Sequence, residues 1–489
     1  MQRSVLYVLI AFFLSTALHA QDLTHKLPVD SAVRIGKLAN GLTYYIRHNE
    51  KPENKAEMRL VVNAGAILEE PDQQGLAHFT EHMAFNGSEH FKKNELVNFL
   101  QSIGVEFGAD LNAYTGFDET VYILPIPLSD TANFRKGLTV LRDWAGGLSF
   151  EDEQINGERG VVLEESRLGK GADDRMFRKT FPIQYEGSLY AERLPIGKDS
   201  ILKSFPYDAV KRFYRTWYRP DLMAVIVVGD IDVKKTEQLV KKYFSGLKNP
   251  PEEKERTFAD VPGRTKDESI VVTDKEATNF VLEVDYPFYQ IKPEVTVGDY
   301  RNWLVKNLFT SMLNQRLSEL TRSDNPPFLF ASTSFNSYAR GYEGFSGFAV
   351  AGKNGPDSAL SVLIREIERV KQYGFTQAEL DRARKRSLAF IEQANNNRNK
   401  NESSNFVQDY IDNFLTQEPI PGVATEYNYY NQLLPGITLN EVNALTEPLK
   451  QNPHIFVSLT GPSESDYKLP DNATLLQNTY AAQKTAVAP

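Results

Sequence analysis

The 489-residue sequence contains no cysteine, only seven histidines and no apolar run long enough for a membrane-spanning helix. The absence of cysteine excludes disulfide bonds and metal sites built from thiolates. Positive charge is not in excess either, because the formal net charge is −9. A nucleic-acid-binding surface is therefore not expected, and neither is a stable membrane span.

The first 20 residues have the order of segments typical of a secretory signal peptide. Arg3 precedes an apolar run at 5–14, and small residues follow as far as Ala20. Cleavage after Ala20 would leave a chain that begins with Gln21 and has no cysteine to carry a lipid. The alternative is an uncleaved anchor helix. We therefore expect a periplasmic or secreted protein that depends on its hydrophobic core, since it has no disulfides.

Two histidines and a glutamate lie close together in the segment 75–85. Apolar residues recur there at three- and four-residue spacing, which predicts a helix. His78 and His82 then lie one turn apart on one side of the helix, with Glu81 beside them. This His-x-x-Glu-His order is the inverse of the thermolysin arrangement and is a known zinc-hydrolase signature. The segment therefore predicts two ligands of a zinc ion.

A third zinc ligand must come from another part of the chain, because a catalytic zinc normally has three protein ligands and a water. A helix is predicted to begin at Ser149, where the sequence has a capping-box pattern. Glu158 and Glu165 are seven residues apart on this helix and so share one face, whereas Glu164 points about 100° away. The residues alone do not choose between Glu158 and Glu165.

The second half of the sequence repeats the pattern of the first half. Aligning Phe150 with Phe375 puts Ala383 and Phe390 at the positions of the two candidate glutamates, and the helix segment 308–312 has no histidine. Repetition on this scale predicts two similar α+β domains in tandem, each with a mixed or antiparallel sheet packed with helices. Because metal-type residues occur in one copy only, we assign the chemistry to the first copy and a supporting role to the second.

The domain limits follow from composition and from the repeat. We predict a signal peptide at 1–20, a catalytic domain at 21–248, a linker rich in proline and charge at 249–262, a degenerate domain at 263–470 and a tail at 471–489. The tail is expected to be extended, and the mixed segment 169–200 is expected to wrap around the surface. Asn40-Gly41 between two alternately apolar runs predicts a β-hairpin.

Four segments carry a resemblance to a known family. They are His78–Phe85, Asn112–Thr115, Glu119–Tyr122 and Glu158–Glu165. Together they resemble the pitrilysin/insulinase zinc peptidases, and most of all the N-terminal half of the bacterial periplasmic PqqL-like peptidases. The resemblance covers nearly the whole mature chain. It implies that His78, His82 and Glu165 bind one zinc ion per chain, that Glu81 is the general base, and that Glu158 is a catalytic carboxylate that orients the site.

The resemblance also implies where a substrate would bind. Asn112, Ala113 and Tyr114 are expected to form an exposed sheet edge near the metal, to which an extended peptide could add as a strand. The gap between the histidines and the third ligand is longer than in shorter family members. We attribute this difference to an insertion around 106–110 or after Pro125.

These residues predict a zinc-dependent endopeptidase that acts on peptides or unfolded polypeptide segments, with Glu81 activating water. The resemblance implies a chamber that is completed by a second two-domain half. That half would be a homodimer mate, a separate chain or a C-terminal extension. Two alternatives remain open at this stage: a non-catalytic scaffold or binding subunit, and a half-enzyme that is inactive without its partner.

Overall fold

A computed structural model describes residues 22–105, 112–451 and 454–489. The predicted signal peptide and the predicted insertion at 106–110 lie outside the described residues. Within them, the strands form two six-stranded sheets. The strands of the first sheet are β1 (Val33–Lys37), β2 (Thr43–His48), β3 (Lys55–Val62), β4 (Asn112–Thr115), β5 (Thr120–Pro127) and β6 (Met223–Gly229). Those of the second are β7 (Glu268–Asp274), β8 (Val281–Asp285), β9 (Tyr289–Gln290), β10 (Phe328–Asn336), β11 (Tyr342–Ala351) and β12 (Phe456–Pro462).

The second sheet repeats the topology of the first. The first has the order β1-β2-β6-β3-β5-β4, in which β2 and β6 are parallel and the other neighbours are antiparallel. The second has the order β7-β12-β8-β11-β10, in which β7 and β12 are the parallel pair, and the short β9 pairs with β11. The prediction of two tandem α+β domains is confirmed.

Helices precede, connect and follow these strands. In the first half they are α1 (Leu76–Met83), α2 (Glu95–Ser102), α3 (Thr131–Gly146), α4 (Asp152–Leu168), α5 (Ala172–Gln184), α6 (Asp199–Ser204), α7 (Tyr207–Trp217) and α8 (Val233–Phe244). In the second half they are α9 (Val297–Leu320), α10 (Gly355–Tyr373), α11 (Gln377–Asn397), α12 (Ser403–Thr416), α13 (Val423–Leu433), α14 (Leu439–Ala444), α15 (Glu447–Lys450) and α16 (Asn472–Lys484). None of the helices in the described ranges has the length and hydropathy needed to span a bilayer.

Each domain covers one face of the other domain's sheet. Strand β6 is buried at every position, as expected for a central strand with both faces covered. One face of its sheet packs in a core with Tyr122 and Trp144. The other face packs against Val407, Tyr410 and Ile411 of α12, which belongs to the second half of the chain. In return, α5 of the first half lies against β7 and β12. The two sheets are therefore joined by reciprocal helix packing.

Two predicted segments differ from the structure. The segment 169–200 does not simply wrap the surface, because α5 carries the buried Phe181 into the space between the sheets and buried Tyr185 follows it. The C-terminal tail is not extended. It contains α16, whose Leu475 and Ala482 are buried against the second core and which contacts α10 and β7. In both cases a few apolar residues on one side of a mostly polar helix are buried, which the polar composition of the segment did not indicate.

Of the two local sequence patterns used to predict a turn and a helix start, one is confirmed and one is wrong. The hairpin at Asn40-Gly41 is confirmed, with Lys37 opposite Thr43 in the β1–β2 pair. The capping box at Ser149 is wrong, because α4 begins at Asp152 and no side chain caps it. The domain limits stay predictions. The segment between α8 and β7 contains no helix or strand, but its residues Ala259 and Val261 are buried in the first core.

Candidate metal centre

Helix α1 is held at its N-terminus by a buried carboxylate. The preceding Gly75 has a φ of 101°, which favours glycine. Glu69 accepts hydrogen bonds from the backbone N–H groups of Gly75 at 3.0 Å and Ala77 at 2.8 Å, so it satisfies donors that a helix start leaves free. Burial raises the pKa of Glu69 to about 8, against the effect of these two bonds. Phe79 and Met83, about 100° around the helix from the two histidines, are fully buried.

The predicted metal ligands meet at one point. Nε2 of His78 and Nε2 of His82 are 3.3 Å apart. Glu165, in the fourth turn of α4, places Oε1 3.5 Å from His78 Nε2 and Oε2 3.1 Å from His82 Nε2. These ligand atoms all lie within 4.8 Å of one another. Two helices that are far apart in sequence therefore bring two imidazoles and a carboxylate together.

The spacing and chemistry of this cluster fit a zinc ion. Ligand atoms about 2.1 Å from a tetrahedral zinc lie about 3.4 Å from one another, close to the separations given above. Imidazole nitrogen and carboxylate oxygen are ligands that zinc commonly takes. The side chains of His78 and His82 are 12% and 18% exposed, whereas that of Glu165 is 49% exposed. The cluster is therefore enclosed on the side of α1 and open on the side of α4.

Glu158 contacts the other nitrogen of one histidine. Nδ1 of His82 lies 2.7 Å from Oε1 of Glu158. Asn86 donates a hydrogen bond to Oε2 of Glu158 at 2.8 Å and another to the carbonyl oxygen of His82 at 3.1 Å. The structure thus separates the two glutamates that the residues alone left equivalent: Glu165 faces both Nε2 atoms and Glu158 faces Nδ1. Asn86 was not predicted as a site residue, although its position four residues after His82 places it on the same side of the chain.

Glu81 is buried beside the histidines. Its Oε2 accepts a hydrogen bond from the hydroxyl of Thr115 at 2.7 Å. Burial raises the pKa of Glu81 to about 7, although the bond from Thr115 acts in the opposite direction. Thr115 belongs to one of the motifs named above, but no role was predicted for it. Its contact with Glu81 depends on how β4 lies over α1, which no local pattern reveals.

The two histidines have different protonation preferences. The pKa of His78 is lowered by burial and by the nearby positive charge of His82. Burial also acts against protonation of His82, but hydrogen bonds to Glu158 and Glu165 outweigh it and raise the pKa of His82. The hydrogen bond with His82 in turn lowers the pKa of Glu165. Glu158 and Glu165 therefore both favour positive charge at the His82 ring.

A cavity of about 770 Å³ opens over the cluster. It is lined by Asn112, Ala113 and Tyr114 of β4, which lies at the edge of the first sheet. Apolar side chains also line it, namely Phe85, Val97, Val161, Pro195 and Ile196. An extended chain lying along β4 would therefore pass next to the three ligands.

Comparisons with family models and with curated proteins match this chain to peptidase family M16 and to named zinc proteases. The model of the insulinase family, peptidase family M16, matches residues 44–177, and that of the peptidase M16 inactive domain matches residues 204–387. The chain is 34% identical over 418 residues to "Zinc protease PQQL-like" of Arabidopsis thaliana, and the aligned residues make up 85% of this chain and 40% of that protein. It is 32% identical over 425 residues to "Probable zinc protease PqqL" of Haemophilus influenzae, and this alignment covers 86% of this chain and 45% of that protein.

A solved structure matches the fold over nearly its full length. The crystal structure of the first half of the periplasmic protease PqqL from Escherichia coli has a TM-score of 0.86 at 25% identity, covering 95% of this chain and 99% of that chain. The chain spans about half the length of the curated relatives that it matches. The insulinase-family model covers the histidine pair, whereas the inactive-domain model begins in the last part of the first repeat and extends into the second, which lacks the pair. The chain belongs to the pitrilysin/insulinase family of peptidases, family M16.

Proposed function

We propose that this chain is the catalytic two-domain half of a zinc-dependent endopeptidase that hydrolyses peptides or unfolded polypeptide segments. The observation that carries the proposal is the meeting of His78, His82 and Glu165 beside the buried Glu81. The names of the relatives, which are zinc proteases, support it. It also accounts for the asymmetry between the copies, since the second copy repeats the sheet but not the histidine pair.

One zinc ion per chain would be held by Nε2 of His78, Nε2 of His82 and the carboxylate of Glu165. When bound, zinc polarises a peptide carbonyl and lowers the pKa of a water molecule. Glu158 fixes the ring of His82. By accepting a hydrogen bond from Nδ1–H, it also raises the basicity of Nε2, the atom that would bind zinc.

Glu81 is the general base of the proposed reaction. Its Oε2 is held by Thr115, so Oε1 is the atom that takes a proton from the attacking water and later passes it to the leaving amine. Burial raises the pKa of Glu81, which favours its holding a proton between the two transfers. The buried position of Glu81 keeps bulk water away from the proton in between.

Asn112, Ala113 and Tyr114 are the proposed substrate-binding residues. In the described part of the chain, β5 is the strand partner of β4, so the other edge of β4 can accept a substrate strand. Pairing through the main chain tolerates varied sequences but requires an extended segment. Peptides and unfolded segments therefore fit this edge, and folded domains do not.

We further propose that a second two-domain half closes over this cavity, supplied by a dimer mate, another chain or further sequence. The support is that the matched relatives are about twice as long. The proposed domain limits are those predicted above. Export to the periplasm or the medium is proposed from residues 1–20 and from the periplasmic relative of E. coli. A non-catalytic scaffold is the competing function, and the complete ligand set argues against it.

Cleavage of an unfolded protein and of quenched fluorescent peptides by the purified chain tests the proposal. We expect cleavage that stops when a chelator removes zinc and returns when zinc is added. Size measurement in solution, run beside the assay, shows whether the active species is a monomer or a dimer. Cleavage that survives complete zinc removal would overturn the proposed chemistry. Stoichiometric zinc without cleavage by any assembled form would favour the scaffold.

A further inference from the structure

Two strand-connecting turns from different domains meet next to the proposed substrate edge. The β4–β5 turn, 116–119, is closed by a hydrogen bond from the N–H of Gly116 to the carbonyl of Glu119 at 2.8 Å. The β10–β11 turn, 337–341, carries Arg340, whose Nη2 lies 2.5 Å from Oε2 of Glu119. The same guanidinium donates through Nη1 to Oδ1 of Asn63, also at 2.5 Å. Arg340 of the second domain therefore joins two loops of the first.

The contact is largely removed from solvent. The side chain of Arg340 is 9% exposed and that of Glu119 is 23% exposed. The backbone N–H of Arg340 donates to the hydroxyl of Tyr190 at 2.9 Å, and that hydroxyl donates to Asp118 at 2.5 Å. Arg256, in the segment that joins the domains, donates to the other carboxylate oxygen of Asp118 at 2.8 Å. A buried arginine of this kind constrains geometry more than a surface ion pair does, because leaving its partner unpaired is costly.

The turn is connected to the proposed general base through a short path. Thr115 is the last residue of β4 and immediately precedes the turn. Its hydroxyl is the group that donates to Oε2 of Glu81. The turn also packs closely on the loop at Gly65, where an added Cβ would lie 2.5 Å from the carbonyl oxygen of Gly116. A shift of the turn therefore shifts Thr115, since neither the four-residue strand nor the loop leaves room to absorb it.

We propose that Arg340, in the domain without metal ligands, is a positioning residue for Glu81. By holding Glu119 it fixes the β4–β5 turn, and with it the Thr115 hydroxyl that orients the Glu81 carboxylate. The inference rests on the proposed peptidase function. It gives the degenerate domain a part in the reaction beyond support of the fold.

Steady-state kinetics with Arg340→Gln test the proposal. We expect kcat to fall about tenfold while the zinc content stays at the wild-type level, because displaced catalytic groups cost rate without removing ligands. Arg340→Lys, which can reach one of the two acceptors, should recover part of the loss. Arg175→Gln is the matched control. Arg175 also bridges the domains, through Asp274, but at α5 and away from the turn, so its kcat should stay within twofold of wild type.

A double-mutant comparison distinguishes positioning from general loosening. Thr115→Val removes the hydroxyl on Glu81 and should lower kcat by itself. If Arg340 acts through Thr115, then Arg340→Gln added to Thr115→Val should lower kcat by less than a further twofold. Additive losses, an unchanged kcat in Arg340→Gln, or an equal loss in Arg175→Gln would overturn the inference while leaving the peptidase proposal intact.

Amide hydrogen exchange gives a readout that needs no activity. Peptides that cover 112–119 should exchange faster in Arg340→Gln than in the wild type or in Arg175→Gln, with melting temperatures close to one another. Unchanged exchange in this turn would overturn the inference whatever the activity. A wild-type chain that cleaves nothing in any assembled form would instead contradict the proposed function, and with it the role assigned to Arg340.

Discussion

Oε1 of Glu158 lies 2.7 Å from Nδ1 of His82, on the side of the ring away from the proposed zinc position. A carboxylate in this place orients the imidazole and strengthens the remaining nitrogen as a ligand. Asn86 holds the other oxygen, so the carboxylate cannot turn freely. Glu158 is therefore expected to act on the metal through His82 and not by direct ligation.

Glu158→Gln should weaken zinc binding by about 10- to 100-fold without unfolding the chain. The amide is neutral and supports the Nδ1–H of His82 less well than a carboxylate does. Competition with a zinc chelator of known affinity measures the change. Glu164→Gln is the control, because Glu164 is exposed on the same helix and pairs with Arg167. Equal affinities in the two variants would contradict the assignment of Glu158.

Glu165→Gln should have a larger effect on the metal than Glu158→Gln. Glu165 supplies a ligand atom, so its loss should weaken zinc binding by at least about a hundredfold, above the range for an indirect contact. The zinc content of the purified protein, measured by mass spectrometry, checks this. Glu164→Gln serves again as the neighbour that should keep its zinc. If Glu158→Gln lost the metal and Glu165→Gln kept it, the two roles would have to be exchanged.

Glu81→Gln should separate metal binding from turnover. The amide cannot accept the proton of the attacking water, so kcat should fall by about 10²- to 10⁴-fold. The zinc content should stay at the wild-type level, because Glu81 is not among the clustered ligand atoms. Peptide cleavage and zinc analysis on the same preparation make the comparison. A variant that keeps more than a tenth of the wild-type rate would rule out Glu81 as the base.

The helical pattern predicted that His78 and His82 lie side by side, because one helical turn fixes their relation. The choice between Glu158 and Glu165 was different, since both share a face of α4 and only the crossing of α4 over α1 assigns them to opposite ring nitrogens. Thr115 and Arg340 were beyond reach for the same reason, because their contacts join residues 34 and 221 positions apart. The sequence also did not predict that α5 packs against the second sheet and α12 against the first. An amphipathic helix shows that it has a buried face but not which sheet covers it.

The second domain contains an ion pair whose contribution to stability should depend on pH. Glu379 closes a capping box with Thr376 at the start of α11 and receives two hydrogen bonds from Arg316 of α9, at 2.6 and 2.9 Å. Burial alone would raise the pKa of Glu379, but the bonds from Arg316 and Thr376 outweigh it and lower the pKa to about 2. The charged form is therefore favoured in the folded state.

Glu379→Gln should lower the free energy of unfolding by roughly 2 kcal/mol at pH 7. The folded-state pKa is below that of the unfolded chain, so the stabilisation is complete above the unfolded value of 4.5 and is lost as the pH falls towards 2. The difference between the melting temperatures of wild type and variant, measured from pH 7 to pH 3, should therefore narrow below about pH 4.5 without closing completely. Glu392→Gln, at an exposed position of α11, should match the wild type throughout. A Glu379→Gln deficit that stays constant with pH would show that shape, and not charge, accounts for the loss.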